Sequence, residues 1–77
     1  MTKKAFKTEV VADLEYQLEH KGKPYTAEHW YMSDFLYPLD SSKKREAIEE
    51  LISECEIIRV SAGQIWKDSK PYPVLML

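Results

Sequence analysis

The sequence predicts one α+β domain in which three helices precede a C-terminal β-hairpin. A length of 77 residues allows one small core and no second. Up to Cys55 the apolar residues recur at helical spacing. Past Glu54 they gather instead into short β-rich runs, Ile57-Ile58-Arg59-Val60 with Ile65-Trp66, and then Val74-Leu75-Met76-Leu77. A hydrophobic share of 44% supplies enough apolar surface for a folded chain rather than a disordered tail.

The first helix is expected over Thr8 to Lys21. Thr8 is placed as its N-cap, Glu9 suits the positive end of the dipole, and Val10, Val11, Leu14 and Leu18 trace an apolar stripe. His20 and Lys21 suit the negative end, and Gly22 can take the left-handed conformation that closes a helix. Residues 1–7, with Lys3, Lys4 and Lys7, are expected to be flexible. Lys23-Pro24-Tyr25 forms an extended connector, long enough for a very short strand that pairs with the later hairpin, and Pro24 confines such a strand to an edge.

The second helix is expected over Thr26 to Tyr37, carrying Trp30, Tyr31, Phe35 and Leu36, with Pro38 as its stop because a ring without an N–H cannot continue the ladder. Leu39 and Asp40 make the turn. The third helix runs from Ser41 to Glu54, its apolar face formed by Ile48, Leu51, Ile52 and Cys55 at offsets of three, four and seven. In the hairpin, Lys67-Asp68-Ser69-Lys70-Pro71 reads as the polar tip, and Gly63 marks either a bulge or a break in the first strand. The expected core is Val11, Leu14, Leu18, Phe35, Leu36, Ile48, Leu51, Ile52, Ile58 and Val74.

This order resembles the winged helix-turn-helix family of small DNA-binding domains. Thr26 with Phe35, Leu36 and Leu39 is similar to the family's first motif helix and turn. Ile48, Leu51 and Ile52 resemble the buried side of its recognition helix, Glu56 to Val60 its first wing strand, and Ser69 to Leu77 the return from the wing tip. The resemblance implies that the exposed N-terminal half of the third helix enters a major groove while the wing touches the neighbouring backbone. Carried onto this chain, the DNA-binding residues are Ser41, Ser42, Lys43, Lys44 and Arg45, with Lys67, Ser69 and Lys70 on the wing. Hydroxyls, ammonium groups and a helix N-terminus all donate to phosphate, and a guanidinium can address guanine O6 and N7 together. The competing reading makes Lys43 to Glu50 a solvated face held by pairs such as Arg45 with Glu49. The orientation of Glu46 and Glu50 decides between them, since carboxylates flanking Lys43 on the outside would repel a duplex.

Eleven basic and thirteen acidic residues give a net charge of −2, which disfavours indiscriminate binding of nucleic acid and leaves local patches to decide. Trp30, Tyr31 and Phe35 with Tyr25 and Tyr37 read first as core and second as a base-stacking platform. No spacing of nucleophile, base or phosphate-binding glycines supports catalysis, so no enzyme and no cofactor is expected. His20 and His29 with Cys55 or Glu28 make no recognised metal pattern. The single Cys55 has no internal disulfide partner and reads as a small buried hydrophobe, which together with the absence of a leader or membrane span places the chain in the cytoplasm. The expected function is a small DNA-binding regulator of transcription, with homodimers a means to specific affinity. The alternative is a non-catalytic protein-protein interaction module on the same scaffold, such as an accessory or inhibitory protein of a mobile element.

Overall fold

A computed structural model describes residues 1–61 and 72–77. The chain forms α1 (Lys3–Lys21), β1 (Tyr25–Ala27), one 3-10 turn (Glu28–Met32), α2 (Ser41–Ser53), β2 (Ile58–Ser61) and β3 (Pro73–Met76). The architecture is α+β, two α-helices against a three-stranded antiparallel sheet of order β1-β3-β2.

Helix α1 begins five residues earlier than the sequence suggested. The cap is Thr2, whose hydroxyl accepts from the Ala5 N–H at 3.1 Å, while Thr8 lies inside the helix and donates back to the Lys4 carbonyl at 3.1 Å. Residues 3–7 are therefore helical, contrary to the expected flexible start. The reason is Phe6, fully buried, which extends the stripe Phe6-Val10-Leu14 by one turn and gives the lysine-rich segment an anchor. The far end closes as expected on Gly22, at φ 65° with its N–H to the Leu18 carbonyl.

The expected second helix is absent. Tyr25–Ala27 is an edge strand paired with β3, two residues further along than the short strand expected on Lys23-Pro24-Tyr25, and only the five residues Glu28–Met32 turn helically, in 3-10 form. Residues 28–31, Glu-His-Trp-Tyr, combine aromatic and imidazole rings of modest helix propensity, and Ser33 and Asp34 compete for the backbone with their own side chains. Ser33 does so directly, its hydroxyl accepting from the Leu36 N–H at 3.3 Å. One aromatic of this stretch, Tyr31, is fully buried; Trp30 is 50% and Phe35 92% exposed.

Helix α2 falls where its apolar period placed it. Its last residue is Ser53, and it is closed by Cys55, whose left-handed φ of 60° lets its own N–H reach the Ile52 carbonyl and the Glu56 N–H reach that of Leu51. Cys55 is thus exposed and past the helix, not buried on its face. The core comprises Phe6, Val10, Leu14, Tyr31, Ala47, Ile48, Leu51, Ile57 and Leu75. Of the expected core, Leu14, Ile48 and Leu51 belong to it, Val11 and Ile52 pack against it, and Val74 is buried. Leu18, Phe35, Leu36 and Ile58 are exposed. In the sheet, Thr26, Leu75 and Arg59 pair in one row that faces the helices, so Ile58 in the next row faces away, and Ile57 takes its place inside. Among the described residues no helix is long and apolar enough to cross a membrane.

Candidate nucleic-acid interface

The surface built by α2 starts from Asp40, at the N-cap position. Its carboxylate is held below the usual aspartate range, chiefly by the Ser42 hydroxyl that donates to it and less by the backbone N–H groups of Ser42 and Lys43, which lie beyond capping hydrogen-bond geometry. Ser41 is half-buried, and Ser42, Lys43 and Arg45 are exposed. Among the described residues Lys43 and Arg45 carry no ion pair.

Lys44, grouped with them by the sequence, does something else. It is fully buried, its ammonium donating 3.1 Å to the Ser33 carbonyl with Asp34 Oδ1 at 3.5 Å. It clamps the segment after the 3-10 turn onto the first turn of α2 and has no surface to offer a phosphate. The signal was in the sequence: Lys44 precedes Ile48 by four and Leu51 by seven, and so lies on the apolar stripe. Its hydrogen bonds keep the buried charge satisfied.

Glu46 and Glu50 face sideways. Lys3 reaches Glu46 at 3.2 Å and Glu50 at 2.5 Å; Lys7 reaches Glu50 at 3.3 Å and Glu54 at 2.7 Å. Two lysines four residues apart on α1 thus interleave with three glutamates four apart on α2, a ladder between neighbouring helices. The Lys3 hydrogen bond is the main reason the Glu50 carboxyl titrates below its ordinary range, and Lys3 and Lys7 are raised in turn, mainly by Glu50 and Glu54 respectively. Glu49 is taken up by Arg59 of β2, which binds Glu49 at 2.8 Å and Glu28 at 2.6 Å. The Arg45–Glu49 pair considered above is therefore replaced by Arg59–Glu49. Lys3, Lys7 and Arg59 went unassigned in the sequence because their partners lie 31 to 47 residues away or, for Glu49 with Arg59, on a different element of the fold.

The same end of α2 also bears negative charge. Asp34 and Asp40 border a shallow hollow with Pro38, Leu39 and Ser41, and the Asp34 side chain is 85% exposed. Phe35 and Leu36, which follow Asp34 in the chain, are exposed. The wing residues Lys67, Ser69 and Lys70, and Gly63, lie outside the described residues. Among the described residues no group of three or more His, Cys, Asp and Glu side chains is placed to hold a metal ion. Comparison with protein-family models, with characterised proteins and with solved structures finds no match to this chain.

Proposed function

We propose that this chain is a small DNA-binding regulator that places the first turns of α2 against duplex DNA, in the manner its resemblance to winged helix-turn-helix domains implies. The observation that carries the reading is the disposition of charge on α2. Glu46, Glu49, Glu50 and Glu54 are all engaged by Lys3, Lys7 and Arg59, which leaves Lys43 and Arg45 as exposed cations of its N-terminal half, with the Ser42 hydroxyl spent on Asp40. The antiparallel pairing of β2 with β3 after α2 supports it further, being the strand pair that the resemblance expects there, and the resemblance alone offers Lys67, Ser69 and Lys70 as backbone contacts.

The test is a salt titration of binding to mixed duplex fragments. Lys43→Met should shallow the slope of log K against log salt by about one unit, and Arg45→Ala should cost roughly 1–3 kcal/mol and relax specificity at one base. Lys44→Met should leave the slope alone while destabilising the fold. No binding to any duplex at about 50 mM salt, where non-specific affinity is strong, rejects the reading. That result would favour the interaction-module alternative, for which the specific observation is the exposure of Phe35 (92%) and, five residues before it in the chain, half-exposed Trp30, as aromatic anchors for a protein partner.

A further inference from the structure

A groove of about 550 Å³ runs between α1 and α2. Its floor is apolar, formed by Leu51, Val11 and Ala12, and its α1 wall carries Lys4 at one end and Glu15 at the other. Lys4, Thr8, Val11 and Glu15 follow one another at steps of four, three and four, so they form one stripe along the helix. Lys4 and Glu15 stand about 16 Å apart on it, at 1.5 Å rise per residue. Both are exposed, and among the described residues neither has an ion pair. Lys3, Lys7, Glu50 and Glu54 also line the groove but are paired with one another in the ladder, which leaves Lys4 against Glu15 and Glu56 as the charges without an ion pair among the described residues. Between the charged ends the stripe is small and already satisfied, because the Thr8 hydroxyl is spent on the Lys4 carbonyl.

We infer that the occupant of this groove is a second copy of the chain, packed with its α1 antiparallel to the first. A two-fold axis passing between positions 9 and 10 sets Lys4 of each copy opposite Glu15 of the other and Thr8 opposite Val11. Every contact then occurs twice, as an isologous interface requires. The groove is polarised and not uniformly charged, so the antiparallel arrangement matches unlike ends, whereas a parallel one would oppose lysine to lysine and glutamate to glutamate. This interface stands independently of DNA binding, and its test uses no DNA.

The experiment is sedimentation equilibrium of the full chain under reducing conditions, so that Cys55 cannot cross-link copies, with circular dichroism to verify that each variant is folded. The parent should show a monomer–dimer equilibrium. Lys4→Glu and Glu15→Lys should each raise the dissociation constant by about tenfold or more, the equivalent of about 1.4 kcal/mol, because each reversal turns two attractions into two repulsions. Both changes in one chain restore opposite charges across the two-fold axis and should return the constant to within about threefold of the parent. A parent that stays monomeric at about 1 mM, a dimer indifferent to both single reversals, or a folded double variant that stays dissociated would each overturn the inference.

Discussion

Among the described residues Tyr31 is the largest side chain fully removed from solvent, and its hydroxyl donates to Asp13 Oδ2 at 2.6 Å. This bond ties the 3-10 turn to α1. Burial first, and the Asp13 hydrogen bond second, push the phenol well above its ordinary value of 10.0. The fold therefore holds a proton that the unfolded chain gives up near pH 10, and its stabilisation, fully present below that pH, is lost as pH rises toward the folded value. Lys3 and Lys7, also raised, add an alkaline loss of the same sign above their ordinary 10.5, while Glu50, lowered, withdraws its support on the acid side, below 4.5. Tyr31→Phe should cost about 1–3 kcal/mol at pH 7 and make the further loss between pH 9 and 11 smaller than in the parent, as read from urea midpoints. An equal alkaline loss in the two proteins would assign that pH dependence to other groups.

At the scale of elements, the two α-helices were legible because each carries apolar residues at helical spacing, Val10 and Leu14 on α1 and Ile48 and Leu51 on α2, whereas the first turn of α1, anchored by Phe6, was missed. The segment between them was not, because aromatic content was taken for a buried face. Trp30, Phe35 and Leu36 have no core to meet once Tyr31 has filled it, and the backbone of residues 33–36 is turned by Ser33 instead. The sheet shows a finer limit: Ile57 and Ile58 are chemically equal, and only the pairing of Arg59 with Leu75 decides which of them faces inward. Of the candidate site, the exposure of Lys43 and Arg45 was readable, and the burial of Lys44 was signalled by its place on the apolar stripe, whereas the bond from Ser42 to Asp40 and the Lys3–Glu46 ladder depend on neighbours that only the fold supplies. These assignments separate in a melting experiment. Leu51→Ala should cost about 2–5 kcal/mol and Phe35→Ala no more than about 0.5 kcal/mol. A large loss on truncating Phe35 would restore it to the core and, with it, a longer second helix.

For the whole molecule, a net charge of −2 sets the terms on which a duplex is approached. The ion pairs leave a local imbalance rather than a uniform field: exposed Lys43 and Arg45 on α2, with Asp34 and Asp40 bordering the same helix end. Asp40, its carboxyl held low by Ser42, stays ionised at neutral pH, so its repulsion of phosphate persists there. A unit charge about 8 Å from a phosphate in water is worth about 0.5 kcal/mol, so neutralising both aspartates should strengthen duplex binding about fivefold at low ionic strength. The gain should fade above about 150 mM salt, where the Debye length falls to that distance. Asn keeps the capping preference at position 40, and at position 34 it removes only the longer of the two Lys44 contacts. The measurement compares parent and Asp34→Asn/Asp40→Asn titrated with one duplex at about 50 and 200 mM salt. An affinity that does not rise at the lower salt would mean that this end of α2 does not face the phosphates, and the proposed placement of the helix would fall with it.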